Sequence, residues 1–252
     1  MQVIRDAHPH DPLLDMAATH ALLRAVGSGA RGPSARVFVP GPTMAFGRLD
    51  ALRPGYRHAT QAARAHGFTP VLRLGGGHAA AYDQGSVIVE IVVPSTRIAE
   101  GIEERFRQGT ELVADALAAA GVPHPTIGEL PGEYCPGTWS VHADGTRIKL
   151  AGTAQRSIRG ASSLSAVVVA ERGDTIRAAL TDVYAALGLQ WDPSTAGAAN
   201  DVAPGLTTAH VVQATIAEIA ARWPGRTSHA TLDAALLAEA EELRRHHTPP
   251  PH

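Results

Sequence analysis

The chain of 252 residues has 22 Lys and Arg side chains against 24 Asp and Glu, a formal net charge of −2. That balance provides no basic surface for a phosphate backbone and argues against nucleic-acid binding. No apolar run reaches the roughly 18 residues of a membrane span, the N-terminus does not resemble a signal peptide, and a single cysteine excludes an intramolecular disulfide. We therefore expect a cytoplasmic globular protein without a membrane partner.

Helices and strands alternate along the chain without a strict repeat. Asp11 and Pro12 form a helix start, an N-cap followed by proline at the first helical position. Residues 86–93 (SVIVEIVV) are β-branched and alternating, which predicts a buried strand. The predicted helices are 13–26, 56–66, 98–120, 174–187, 207–223 and 230–245. The predicted strands are 36–40, 70–74, 86–93, 139–142, 147–150 and 163–170, with 42–50 as a turn and 123–136 as loop.

This order of elements favours an α/β (α+β) fold with a mixed sheet flanked by helices. We expect one domain over residues 1–246, with extra C-terminal helices at about 207–246 and a disordered tail at 247–252.

Two residue types occur once each. Lys149 is the one lysine, so 21 of the 22 basic residues are arginine, and Cys135 lies 14 positions before it. A chain that uses arginine wherever it can retains lysine where a compact ammonium is required. The pair indicates a functional segment, although each residue alone also fits chance.

Three segments could perform chemistry. Gly75-Gly76-Gly77 follows a strand. Glycines there would let the backbone approach a ligand closely and leave amides free to bind its oxygen atoms. A tight turn is the simpler interpretation of the three glycines. The segment matches neither the P-loop nor the GxGxxG fingerprint. Cys135 lies between loop-forming residues, although a free cysteine is often an inert core residue. Around Lys149, small residues at 151–154 would let a ligand pack closely.

In this order and spacing, the segments resemble the lipoate-protein ligase and octanoyltransferase superfamily (the biotin/lipoate ligase catalytic domain). The family's glycine loop, R-x-S-G-G-G-A-V-x-x-D-x-G, is matched by Arg73, Gly76, Gly77, Ala79, Asp83 and Gly85. Its lysine segment, K-x-x-G-x-A/S-Q-R, is matched by Lys149, Gly152, Ala154, Gln155 and Arg156. The resemblance covers approximately residues 10 to 190.

Within the superfamily, the YCPG string around Cys135 is most similar to the octanoyl-[glycine cleavage H protein]:protein N-octanoyltransferases, also called lipoyl amidotransferases. The resemblance implies that Cys135 takes an octanoyl or lipoyl group from the H protein as a thioester. A lysine of a lipoyl domain then receives it, while Lys149 polarises the acyl carbonyl. It implies substrate-binding residues Arg73, Gly75, Gly76, Gly77, His78, Ala79, Tyr82, Gly152, Thr153 and Ala154. We expect a monomer that requires no cofactor or metal.

Three alternatives remain open. An ATP-dependent lipoate-protein ligase would use ATP and Mg, with Lys149 on the adenylate phosphate. Ser140 argues against it, because it stands where the ligases place a metal-holding carboxylate. The others are an octanoyltransferase supplied by acyl carrier protein and a non-catalytic homologue that binds lipoyl domains. His78 departs from the third loop glycine of the ligases, and the last 60 residues match no family segment.

Overall fold

The computed structural model describes residues 1–95 and 101–250. Its helices are α1 Pro12–Gly27, α2 Tyr56–Ala65, α3 Ile102–Ala119, α4 Gly173–Leu187, α5 Thr208–Arg222 and α6 Ala234–Leu243. Its strands are β1 Gln2–Ile4, β2 Ser34–Phe38, β3 Thr43–Phe46, β4 Thr69–Leu72, β5 Ala80–Tyr82, β6 Ser86–Ser95, β7 Pro125–Ile127, β8 Val141–Ala143, β9 Lys149–Ile158, β10 Gly160–Val169 and β11 Ser228–Ala230. In this described part, no helix is both long and apolar enough to cross a membrane.

All six predicted helices are present. The start of α1 forms as predicted, with the Asp11 carboxylate accepting the Leu14 amide at 3.1 Å and Pro12 in the first turn. The predicted start of the third helix, residues 98–100, lies outside the described residues.

The main sheet has eight strands in the order β11-β1-β2-β6-β10-β9-β8-β7. Its long central strands β6, β10 and β9 pair antiparallel, whereas β11, β1 and β2 pair parallel at one edge. Residues of β6 alternate between the two faces: Val87 and Val89 pack with α3 and α5, and Ile88 faces the opposite way, towards α1. The predicted fold class, a mixed sheet flanked by helices, is confirmed.

A second sheet was not predicted. Its three strands have the order β4-β3-β5, and β3 occupies the segment that the sequence indicates as a turn. Short strand β7 also forms within the predicted loop, and β11 forms in a segment without a prediction that ends at Ala230, the first residue of the predicted sixth helix. Each of these strands has only three or four residues, and long-range pairing rather than local pattern stabilises it.

The C-terminal helices pack on the sheet layer: α6 lies against α1, and α5 lies against α3. The prediction of a disordered tail from residue 247 is wrong at its start, because the His247 ring is buried. His247 pairs with the edge strand β4: its carbonyl accepts the Leu72 amide at 2.8 Å, and its Nδ1 lies 2.7 Å from the Leu72 carbonyl. It thereby pairs backbone groups that an edge strand leaves open. Residues 251–252 lie outside the described part, and a single domain over 1–246 stays a prediction.

Candidate active site

A cavity of about 370 Å³ lies between the main sheet and the second sheet, a volume typical of small-molecule sites. The structure brings most of the predicted site residues together in its wall. These are Arg73, Gly75, Gly76, Gly77, Tyr82, Cys135, Lys149, Gly152, Thr153 and Ala154. The three segments that are separate in the sequence therefore surround one chamber.

Cys135 lies in the wall with a backbone φ of 43°, in the left-handed region that non-glycine residues rarely adopt. Such a conformation costs on the order of 1–3 kcal/mol and persists where surrounding contacts hold it. Both backbone polar groups of Cys135 are held: its amide donates to the Tyr184 hydroxyl at 2.8 Å, and its carbonyl accepts from Lys149 Nζ at 3.1 Å. The loop thus presents the sulfur at a fixed position in the cavity.

The cation nearest to the sulfur in the described contacts is Arg73, whose Nη2 donates to Cys135 Sγ at 3.2 Å. The sequence predicts Arg73 only as a substrate-binding residue, and it predicts Lys149 as the group that polarises the acyl carbonyl. Gly77 makes this contact possible, because a Cβ there would lie 2.7 Å from Sγ and would also collide with the guanidinium. Gly77 has a φ of 92°, which glycine adopts at little cost.

Lys149 is buried below the Cys135 loop. Its Nζ donates to the Tyr134 carbonyl at 3.0 Å and to the Cys135 carbonyl at 3.1 Å, and lies 3.2 Å from Glu133 Oε2. Burial lowers the pKa of Lys149, and the electrostatic interaction with Glu133, followed by that with Cys135, opposes this effect. Two of the three N–H groups of the ammonium therefore hold the loop, while the ammonium also forms the ion pair with Glu133 and borders the cavity.

Glu133 is a buried partner of Lys149 that no sequence motif indicates. Its Oε1 accepts the Gly137 amide at 3.0 Å and the Ser140 hydroxyl at 2.7 Å. Its Oε2 faces Lys149 as an ion pair but has no hydrogen bond within the described residues. An aspartate in place of Ser140 would press a second carboxylate against Glu133, which gives a physical reason for serine here.

Tyr184 of α4 links the two loops. Its hydroxyl accepts from the Cys135 amide and donates to the Ala79 carbonyl at 2.9 Å. Burial raises the pKa of Tyr184 well above its ordinary value, so the phenol keeps the proton that it donates. The sequence signal for this residue is weak: it is a tyrosine on the apolar face of an Ala-rich helix, far from every motif.

The glycine loop contributes unpaired backbone donors. Within residues 1–95 and 101–250, the amides of Gly75, Gly76 and Gly77 donate to no protein group, and the loop borders the cavity. Amides of this kind stabilise negative oxygen at short range. These glycines can therefore bind a carbonyl oxygen or an oxyanion.

His78 and Ala79 lie behind the cavity wall rather than on it. The His78 ring places Nδ1 at 2.8 Å from the buried carboxylate of Asp50, whose other oxygen accepts the Gly47 amide at 3.0 Å. Ala79 is fully buried and offers its carbonyl to Tyr184. The geometry gives these two residues a part in positioning the loop. In the described part of the chain, no group of three or more His, Cys, Asp or Glu residues is arranged to hold a metal ion.

Comparison with known protein families agrees with this geometry. Residues 11–186 match the model of the lipoyl protein ligase A/B catalytic domain family, and the chain belongs to that family. Among curated relatives, the octanoyl-[GcvH]:protein N-octanoyltransferase of Geobacillus kaustophilus is 31% identical over 207 residues, which cover 81% of this chain and 71% of the relative. The enzyme of that name from Anoxybacillus flavithermus is 30% identical, over 66% of this chain and 61% of the relative.

Solved structures share the fold. Lipoate-protein ligase A bound with ATP superposes with a TM-score of 0.74 at 19% identity, covering 97% of this chain and 94% of that one. A bipartite lipoate protein ligase from Thermoplasma acidophilum, studied with its E2 lipoyl domain, gives 0.70 at 17% identity, with 97% and 91% covered. At these identities the likeness establishes the lipoate-ligase catalytic fold.

Proposed function

We propose that the protein transfers an octanoyl group from a donor protein to the lysine of a lipoyl domain through a thioester on Cys135. The observation that supports this most strongly is the position of Cys135 Sγ, which borders the cavity at 3.2 Å from Arg73 Nη2. The names of the curated relatives support octanoyl transfer from GcvH, the glycine cleavage H protein.

The reaction exchanges one amide for another. In the first half, the Cys135 sulfur attacks the acyl carbonyl of the donor's octanoyl-lysine, the C–N bond breaks, and the thiol proton leaves with the lysine amine. In the second half, the amine of the acceptor lysine attacks the thioester, and the proton it loses restores the thiol. Bonds of the same kind are broken and formed overall, so the exchange needs no ATP.

Each half passes through a tetrahedral oxyanion. The N–H group of Lys149 not bound to a loop carbonyl and the unpaired amides of the glycine loop border the same cavity. Donors that are positioned before the reaction stabilise such a charge without reorganisation. Removing one of these donors typically lowers the reaction rate by roughly 10²–10³-fold. We assign Lys149 the dual task of holding the strained Cys135 loop and donating to the oxyanion.

The ATP-dependent ligase alternative requires adenylation of a free acid. Ser140 donates a hydrogen bond to Glu133, and Glu133 forms an ion pair with Lys149, so the buried charges of Glu133 and Lys149 are balanced without a nucleotide. That arrangement supports the ATP-independent reaction. Acyl carrier protein is the alternative donor, and a non-catalytic lipoyl-domain-binding homologue is the alternative outside the enzymes.

The test is a transfer assay on the full chain. The protein is incubated without ATP with an apo lipoyl domain and either octanoylated H protein or octanoyl carrier protein, and the acceptor is weighed by mass spectrometry. We expect octanoylation from the H protein, and none with the Cys135→Ser variant, whose fold is checked by circular dichroism. Product formed from free octanoate or lipoate only when ATP is present would place the protein with the ligases. Near-normal transfer by Cys135→Ser would refute the thioester.

A further inference from the structure

One wall of the cavity is a row of side chains that crosses three strands. Glu90 on β6 pairs with Ser165 on β10, which pairs with Ala154 on β9. Paired residues project to the same face, and all three border the cavity. At the Ala154 end the row meets the glycine loop, since a Cβ on Gly75 would lie 2.7 Å from the Cβ of Ala154. Glu90 therefore marks the end of the row away from the loop that contacts Cys135.

The length of this row fits a medium acyl chain. Two strand spacings separate Ala154 from Glu90, roughly 10 Å. An extended carbon chain advances about 1.2 Å per bond, as the extended polypeptide backbone does, so eight carbons span roughly 8–9 Å. An octanoyl-length chain with its carbonyl beneath the glycine loop would bring its last carbons to Glu90.

Glu90 is 4% exposed, and only one of its two carboxylate oxygens has a hydrogen bond among the described residues. Its Oε1 accepts the Thr19 hydroxyl at 2.5 Å, whereas its Oε2 is buried and has no hydrogen-bond partner among the described residues. Arg36 does not supply one, because its five N–H groups go to the Asp6 carbonyl, to the carbonyl and carboxylate of Asp15, and to Thr19. The N–H groups of Arg36 are therefore all bonded to groups other than Glu90.

Buried side-chain oxygens without a partner are rare and require an explanation. Burial raises the pKa of Glu90 to about 7 despite the opposing effects of Arg36 and Thr19, as expected for an under-compensated carboxyl. The walls beside it, Ile88 and Val167, are apolar. A terminal methyl group would leave Oε2 unpaired, whereas a hydroxyl or thiol at that depth would pair with it.

We infer that Glu90, held by Thr19, is a specificity subsite for the far end of the acyl chain and favours a medium-chain acyl group with a hydroxyl or thiol there. A reduced lipoyl group, which has thiols on its sixth and eighth carbons, belongs to this class. The inference rests on the proposed function for the identity of the cavity as the acyl site.

Binding of free acids tests the subsite without requiring turnover. Trp139 borders the cavity, so its fluorescence reports titration with octanoate, 8-hydroxyoctanoate and dihydrolipoate. We expect the wild-type protein to bind a polar-ended acid about 10-fold more tightly than octanoate, the value of one additional hydrogen bond. Glu90→Met should abolish that ratio, Glu90→Gln should keep part of it, and Glu242→Gln on the exposed face of α6 should leave it unchanged.

Octanoate binding as tightly as both polar acids, or an unchanged ratio in Glu90→Met, would overturn the inference. If Glu90→Met fails to fold, the ratio measured on the wild type still decides. Preference for the hydroxy acid alone or for the dithiol alone would assign the chemistry of the chain end. If the expected affinity ratio is found but acyl transfer fails, the Glu90 subsite is supported and the transferase proposal is refuted. If acyl transfer succeeds but the affinity ratio is absent, the transferase proposal is supported and the Glu90 subsite is refuted.

Discussion

At the reactive end of the cavity, the buried Lys149 ammonium faces the Glu133 carboxylate, and the backbone that they hold is strained at Cys135. At the far end the backbone is regular strand, and the buried charges of Arg36 and Asp15 pair with each other while Glu90 keeps an unpartnered oxygen. At the reactive end the buried carboxylate is ion-paired with a cation and the backbone is strained. At the far end the backbone is relaxed, and Glu90 Oε2 has neither an ion pair nor a hydrogen bond among the described residues. The contrast indicates that the first end is organised for chemistry and the second for recognition.

Replacing Lys149 tests the reactive end with the largest expected effect. Lys149→Arg keeps the positive charge. The planar guanidinium group, however, cannot donate hydrogen bonds to two loop carbonyls and to the oxyanion in the same narrow space. We expect transfer to fall on the order of 10²–10³-fold, measured by initial rates of acceptor octanoylation. Full activity in this variant would contradict the assignment.

A pair of variants separates the fold from the chemistry at Lys149. Lys149→Met alone leaves Glu133 buried without a cation, a loss on the order of 3–5 kcal/mol in unfolding free energy. The double variant Lys149→Met with Glu133→Gln should regain most of that stability and still transfer no acyl group. Restored transfer in the double variant would show that Lys149 acts on stability alone.

We expect Glu90, at the far end of the cavity, to affect how the free energy of unfolding depends on pH. Glu90 has a folded-state pKa of about 7 against an ordinary 4.5, with Arg36, Asp15 and Tyr82 as the charged or titratable groups around it. Its stabilising contribution is complete below pH 4.5 and is lost as the pH rises to about 7, a change on the order of 3 kcal/mol. Urea unfolding across this range should give a flatter profile for Glu90→Gln, and parallel profiles would refute the raised pKa.

Gly77→Ala tests how tightly the reactive end is packed. The added Cβ would meet Sγ and the Arg73 guanidinium at a backbone conformation that alanine disfavours. Because displacements near 1 Å cost up to roughly 10²-fold in rate, we expect a 10- to 100-fold loss. Gly76→Ala is the matched control: its Cβ would meet no atom within 4 Å, and its loss should be clearly smaller.

Tyr184→Phe should have the smallest effect. It removes one hydrogen bond to the Cys135 amide and one to the Ala79 carbonyl, so the Cys135 loop loses part of its support. A typical hydrogen bond corresponds to about 10-fold in rate. The rate of acyl-enzyme formation should fall while octanoate binding stays constant, and a change confined to binding would contradict a positioning role.

Much of this arrangement was predictable from the sequence, and the remainder depends on contacts that no local pattern encodes. Cys135, Lys149 and the glycine loop stand out as single residue types or motifs, and the helices follow apolar spacing and caps. The second sheet was missed because its strands are short and pair over long range. Glu133, Tyr184 and Glu90 were missed because burial and distant partners define their roles, and these appear only when the strands are in register.

The central claim is that Cys135 carries the acyl group, and intact-mass analysis tests it most directly. The protein is incubated with octanoylated H protein in the absence of acceptor and ATP, weighed, and then digested to locate any adduct. We predict a gain of one octanoyl group on the peptide that contains Cys135, released by neutral hydroxylamine as a thioester and passed to an apo lipoyl domain added afterwards. Octanoylation of the acceptor in the complete assay without any adduct on Cys135 would contradict the account.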